Sequence, residues 1–408
     1  MKIIIQHKYF ILICILLGLL IRLAWIIFFD IEPVSDFHWY YTSAQRIALG
    51  RGYIGANGPT AYFPVGYPAF LGLVFYFFEQ GILIAQIVNI ILYETIIILT
   101  YLSYKIIFTS EIGARISVVL LTFYPNHIAY SSLIASETFF LFLCMLGSYL
   151  FLISKSRSLF LVASGIAFGL ATLTKPWSFF LFIILLFCSS KNFYQYLKTF
   201  LILFITQIIV ISPWLIRNHS AFGRYTLSNN FGVNLLVGNS YYSKGKFTNE
   251  PVYKYSDLKS TNNERIRDSV AFSIALNFIR NYPFDVFKLL PKKLWYLWYK
   301  DVEGIGWNIE GLKNTNSLKL IILKILKLPS QLFYLILLFV YIFSFRQLYL
   351  RFNSKFVLLG LYSILYISII SLIFFGDARF HFHVIPYIVL TVSLYFEKVL
   401  EDIRIEIF

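Results

Sequence analysis

Charge is what this chain lacks most. Only 13% of its 408 residues are charged, against roughly a quarter in ordinary soluble domains. The deficit runs along most of the sequence, alongside 59% hydrophobic residues and a mean hydropathy of +0.72. This excludes an ordinary soluble domain and reads as a polytopic membrane protein. Acidic residues are the scarcer sign, 20 against 35 Lys and Arg, for a net charge of +15. In a soluble protein that excess would point to nucleic acid. Here the basic residues fall mostly in short turns between apolar runs, where they report membrane orientation instead. Cysteine is also rare. Cys14, Cys144 and Cys188 lie inside apolar runs without ligand spacing, so neither a disulfide nor a metal site is expected. No internal repeat or low-complexity tract is present. What the chain has in excess is aromatic residues, 20% of the total, which suits interfacial belts, an aromatic-lined groove or lipid-facing packing.

A span needs about 20 apolar residues. On that criterion the sequence predicts an all-α membrane protein with about ten transmembrane helices, near 9–29, 83–104, 113–129, 137–154, 158–174, 176–190, 199–216, 331–345, 356–375 and 380–397. Cations gather at alternate turns: Lys105 and Arg115, Lys155 and Arg157, Lys191 and Lys198, then Arg346, Arg351 and Lys355, with Lys398 and Arg404 at the end. That alternation places both termini in the cytoplasm. The first span follows Lys2, His7 and Lys8, is long and has no small-residue cleavage site, so it is expected to be a retained signal anchor.

Two long segments fall on the outer side. The first, residues 30–79, holds an amphipathic stretch from Trp39 to Leu49, the turn Gly50-Arg51-Gly52-Tyr53, and Pro64 and Pro68, which break any continuous helix. The run Ala69 to Phe78 is too short to span and is expected to lie at the interface. The second, residues 217–328 between the seventh and eighth spans, is rich in turns, has a helical patch from Glu264 to Tyr282, and is expected to cap the outer helix ends. This divides the chain into 1–216, 217–328 and 329–408.

Several polar residues share that outer side. Asp36 follows the first span and is either a helix cap or a functional carboxylate. Glu137 opens the fourth span, where the helix dipole alone favours a carboxylate by about 0.3–1 kcal/mol. Lys175 sits at an outer turn, against the positive-inside trend. Arg217 and Asn218 close the seventh span, as an interfacial anchor or as a fork for a phosphate. Asp377 and Arg379 share a tight turn before His381 and His383. Histidines two residues apart do not share a helix face, which argues against a metal there. Arg22, inside the first span, is expected to snorkel or pair internally. Carboxylates beside several cations suit an anionic lipid donor whose phosphate leaves as a base activates a hydroxyl.

The ordered set Ser35-Asp36 to Gly52-Tyr53, Tyr62 to Pro68, Ser136-Glu137-Thr138, Leu173 to Pro176, Pro213 to Asn218, Asn234 to Asn239 and Gly376 to Phe380 resembles the polytopic GT-C glycosyltransferases. The branch is the bacterial family 39, related to protein O-mannosyltransferases and lipid A aminoarabinose transferases. The resemblance covers about residues 9 to 390. It implies a polyprenyl-phosphate-sugar donor, inverting transfer to an acceptor glycan, lipid or protein, and a site facing the periplasm from the bacterial inner membrane. Asp36 stands where the base is expected and Glu137 where a second acid supports it. Lys175, Arg217, Asn218, Arg379, Tyr67 and Asn239 stand at substrate-binding positions. The sequence departs where Lys175 replaces a frequent Arg, where Val65 follows Pro64 in place of a second proline, and where Phe37 replaces a frequent acid beside the Asp. The last departure is why no metal and no other cofactor is expected. The alternatives are a polymerase or ligase of lipid-linked glycans and, less favoured, a transporter, since the spans are nearly free of charge apart from Arg22 and Glu94.

Overall fold

A computed structural model describes residues 8–56, 58–154, 157–189, 192–258, 263–313, 317–351 and 355–407. Lys2, His7, Lys155 and Lys191 lie outside the described residues, as do the side chains of Arg346, Arg351 and Arg404. The architecture is helical throughout, apart from a two-residue hairpin pairing Ile54–Gly55 with Gly58–Pro59.

Among the described residues, seven helices are long and apolar enough to cross a membrane: Phe10–Phe29, Ile82–Phe108, Ser136–Ser154, Phe193–Phe222, Leu318–Phe345, Lys355–Ile373 and Ala378–Asp402. The other three of the ten apolar segments make shorter pieces. Residues 113–129 split into Glu111–Thr122 and Pro125–Tyr130, because Pro125 has no N–H to continue the first helix. Residues 158–174 form one helix, Ser158–Thr174, and 176–190 hold a 3₁₀ turn followed by Ile183–Cys188. Pro213 is carried inside Phe193–Phe222. It leaves the Ile209 carbonyl without a backbone donor, and the Ser212 hydroxyl supplies one at 2.9 Å.

Among the described residues, the pair of Arg22 and Glu94 lies buried inside the apolar bundle. Arg22, fully buried in the first helix, lies 3.2 Å from Glu94 Oε1 and 4.2 Å from the centre of the Tyr93 ring, and also donates to the carbonyls of Gly18, Leu121 and Thr122. It pairs internally and does not snorkel. A buried charge needs this much company, since its desolvation is otherwise uncompensated.

The first long loop, near residues 30–79, folds into two helices. Ser35–Ala48 buries Phe37, Tyr40, Ser43 and Ala44 along one face, the 3–4 spacing of an amphipathic helix. Gly66–Phe77 begins after Pro64. Pro68 falls in its first turn, where a missing N–H costs nothing, so Pro68 starts this helix and does not break it. The two helices pack so closely that a Cβ at Gly72 would stand 2.8 Å from Ile47 Cγ2. Leu73, Tyr76, Phe77 and Phe78 remain exposed, an apolar face suited to a membrane interface.

Residues 223–313 add short helices, the longest being Glu264–Asn281 and Pro283–Trp298. Asn263 caps the first of these, accepting from Arg265 N at 3.0 Å and Ile266 N at 3.2 Å. The segment has a small core of its own, including Val233, Leu236, Leu258, Ala271 and Ala275, which Phe375 joins from the membrane helices.

Candidate active site

A cavity of about 1390 Å³ opens between the loop near residues 30–79, the residue 223–313 segment and one end of the bundle. Asp36, Glu137, Lys175 and Arg379 all line it. Local structure puts each of them there. Asp36 is in the first turn of Ser35–Ala48, directly after Ser35, whose φ of 54° is a left-handed conformation that a side chain disfavours. Glu137 is in the first turn of Ser136–Ser154. Lys175 follows the last residue of Ser158–Thr174. Arg379 lies on a 3₁₀ turn, Ala378–Val384, capped by Asp377 Oδ1 accepting from Arg379 N at 2.9 Å.

These charges are paired across elements. Arg379 Nη1 donates to Asp36 Oδ2 at 3.1 Å, and Arg379 Nε lies 3.6 Å from Asp377 Oδ2. The Arg379 guanidinium also lies 5.4 Å from the centre of the Trp307 ring, within cation–π range. Lys175 Nζ donates to Glu137 Oε1 at 3.1 Å, and the second oxygen of Glu137, buried, has no hydrogen-bond partner among the described residues. One turn along from Asp36, buried Tyr40 lines the same cavity. Burial, and behind it the Asp36 and Glu137 carboxylates, pushes its phenol well above the usual value, so Tyr40 stays a protonated donor beside two acids.

Asp377 lines the cavity as well, while Arg217, Asn218, Asn239, Tyr67 and His381 lie outside its lining. Arg217 reaches the first outer loop, donating to the carbonyls of Tyr53 and Thr60 at 2.8 Å each and to Asn218 Oδ1 at 2.8 Å, with its guanidinium 4.7 Å from the Trp214 ring centre. Asn218 is buried and donates to Thr226 O at 2.7 Å. Asn239 is buried, bonded to the carbonyls of Leu235 and Ile373 and to Lys293 Nζ at 2.9 Å. Tyr67 is 1% exposed and packs between Tyr40 and Phe139. His381 is stacked between Trp298 and Tyr334, with Nε2 3.2 Å from Asp301 Oδ1. Among the described residues no group of three or more His, Cys, Asp or Glu is placed to hold a metal ion.

Sequence reasoning missed three acids of the later segment. Glu264 receives Thr60 Oγ1 at 2.7 Å, Ala61 N at 2.6 Å and Asn229 Nδ2 at 2.8 Å, and so ties down the same loop that Arg217 holds. Asp268 pairs with Arg224 at 2.6 Å on the cavity wall. Asp301 is buried and accepts from Tyr124 Oη at 2.5 Å and from Asn126. The only sequence signal at Glu264 and Asp268 is their place on a predicted helix, which every helix shares.

Comparison with solved structures shows the fold of this chain in other proteins. The Archaeoglobus fulgidus oligosaccharyltransferase in its apo form matches with a TM-score of 0.57 at 13% identity, covering 98% of this chain and 52% of that one. The same enzyme tethered to an acceptor peptide containing the NVT sequon matches with a TM-score of 0.58 at 13% identity, covering 98% and 51%. The chain has the GT-C fold. It spans about half the length of the oligosaccharyltransferase chains. ArnT from Cupriavidus metallidurans, bound to undecaprenyl phosphate, matches with a TM-score of 0.48 at 11% identity over 95% of this chain and 77% of that one. The model of the dolichyl-phosphate-mannose-protein mannosyltransferase family matches residues 63–216, which include Glu137 and Lys175 but not Asp36 or Arg379. No curated protein matches the chain.

Proposed function

We propose that this GT-C protein is a membrane glycosyltransferase that moves a sugar from a polyprenyl-phosphate donor to an acceptor hydroxyl, with inversion, at the outer face of a bacterial inner membrane. The observation that carries this reading is the convergence of Asp36, Glu137, Lys175 and Arg379 on one cavity from four separate elements. The cavity is apolar on its bundle side, where Ile211, Leu215, Phe179, Phe180, Ile370 and Phe374 line it. A prenyl chain would lie along that wall with its phosphate at the cations.

In this mechanism Asp36 takes the proton from the acceptor hydroxyl. The freed oxygen attacks the anomeric carbon from the face opposite the phosphate. The carbon–oxygen bond to phosphate breaks, and its electron pair leaves on the phosphate oxygen, whose charge Lys175 and Arg379 stabilise. Arg379 now bonds Asp36. An arriving phosphate competes for the same guanidinium N–H groups, so donor binding would release the base as it fills the site. Glu137 holds Lys175 toward the cavity. Arg217, Asn218, Asn239 and Tyr67 serve as positioning residues for the loop and helices that frame it. No step is assigned to a metal.

The outer-face assignment draws support from the cations. The cavity residues sit at the start of Ser136–Ser154 and the ends of Ser158–Thr174 and Lys355–Ile373, while Lys105, Arg157, Lys198 and Lys355 lie toward the opposite ends of the bundle helices.

The test is transfer by purified protein in nanodiscs from a panel of polyprenyl-phosphate sugars. Asp36→Asn should lower the rate by about 10²–10⁴ with thermal unfolding unchanged. Undiminished transfer by a folded Asp36→Asn protein would sink the base assignment.

A further inference from the structure

The cavity is lined by more than its four central charges, and one wall has a different chemistry. That wall comes from the segment after the Phe193–Phe222 helix, where Asn230, Asn234 and Asn249 alternate with Tyr225, Phe231 and Phe272. The aromatic rings are open to the cavity and solvent, with Phe231 50% and Tyr225 68% exposed. Tyr225 is held flat against His219, their rings 4.3 Å apart and tilted by only 17°. The charges here neutralise one another. Arg224 Nη2 lies 2.6 Å from Asp268 Oδ2, and Asp268 Oδ1 is fixed by Gly232 N at 2.6 Å and Val233 N at 3.3 Å.

We propose that this wall is the acceptor subsite and that the acceptor is a glycan, read through uncharged sugar rings; this rests on the transferase reading above. Primary amides offer a donor and an acceptor side by side, which matches neighbouring hydroxyls on a sugar. Flat aromatic faces pack against the apolar C–H face of a pyranose. The other acceptor classes fit less well. A phosphorylated lipid acceptor calls for cations without partners, but Arg224 is committed to Asp268. An extended peptide is commonly held by strand addition to a sheet edge. Among the described residues the single sheet is the two-residue hairpin at 54–59, outside this wall.

The experiment is saturation-transfer NMR on the full chain in nanodiscs. The probes are mannotetraose, cellotetraose, chitotetraose and a Ser/Thr-containing octapeptide, and undecaprenyl phosphate binding is followed separately by native mass spectrometry. At least one tetrasaccharide should receive saturation, and Asn234→Ala with Asn249→Ala should cut its signal at least fivefold while undecaprenyl phosphate binding stays the same. Asn249 is exposed, so its substitution carries little risk to folding. Saturation of the peptide alone, of no saccharide, or of saccharides equally in the variants would overturn the proposal. Loss of undecaprenyl phosphate binding by the unaltered protein would instead overturn the donor reading and leave a saccharide result standing by itself.

Discussion

Asp36 and Arg379 stand 343 residues apart in the chain and 3.1 Å apart in space. Their pairing joins the first outer loop to the turn before the last helix, and it gives the proposed base and the proposed phosphate ligand a shared hydrogen bond. Arg379→Lys should therefore be a severe change. A lysine keeps the charge but loses the planar fork that reaches Asp36 and Asp377 together. Transfer is expected to fall about tenfold to a hundredfold, through kcat as the charge on the leaving phosphate loses support and through KM as the lipid donor binds less well. Steady-state kinetics at varied donor concentration checks this, and an unchanged kcat with an unchanged KM would argue against a phosphate contact.

Arg217 should behave as a clamp. Removing it as Arg217→Ala leaves the Tyr53 and Thr60 carbonyls without their donor, at a cost of about 1–3 kcal/mol for each acceptor left buried. A lower thermal midpoint with unchanged undecaprenyl phosphate affinity is expected. A tenfold weaker lipid phosphate affinity at an unchanged midpoint would return Arg217 to the donor site.

The intramembrane pair gives a double-mutant test. Arg22→Leu leaves Glu94 buried without its partner, which should destabilise by about 3–5 kcal/mol. Arg22→Leu combined with Glu94→Leu should recover most of that loss, because two apolar side chains need no counter-charge. Equal destabilisation of the single and double variants in thermal unfolding would mean that the pair itself, and not the orphaned acid, sets the stability.

Lys293 gives a pH signature. It is buried, bonded to Asn239 Oδ1 and Leu372 O at 2.9 Å each, and burial pushes its pKa down to about 8. The unfolded chain holds that proton up to about pH 10.4. Between those values the unfolded state binds more protons, so the Lys293 contribution makes stability rise with pH across that window. Lys293→Met should flatten the rise. Thermal unfolding from pH 7.5 to pH 10.5 tests it, and an identical slope in the variant would rule the residue out.

What was legible from sequence follows from what sequence patterns encode. Hydropathy located the helices, and the patch from Glu264 to Tyr282 became the helix Glu264–Asn281. Local sequence also identified four charged residues that meet in the cavity, because a charge beside an apolar run is conspicuous. It could not separate Arg379, which faces a carboxylate, from Arg217, which faces carbonyls: both end an apolar segment, and only the tertiary path of the first loop distinguishes them. Asn239 and Asn234 show the same limit. They lie on or beside the helix Phe231–Gly238, yet Asn234 lines the cavity and Asn239 is buried against Lys293. Arg224 and Asp268 carried no signal, since each is an ordinary surface residue until the fold apposes them.

The long separation of Asp36 and Arg379 also fixes when the centre comes into being. At synthesis rates of about 5–20 residues per second, roughly 20–70 s pass between the two residues leaving the ribosome. Until the last helix is in place the proposed base has no guanidinium beside it and the cavity lacks a wall. On the proposed mechanism a nascent or prematurely terminated chain is therefore expected to be inert, and so is an internal start that omits residues 30–79. Transfer activity would then report only finished molecules.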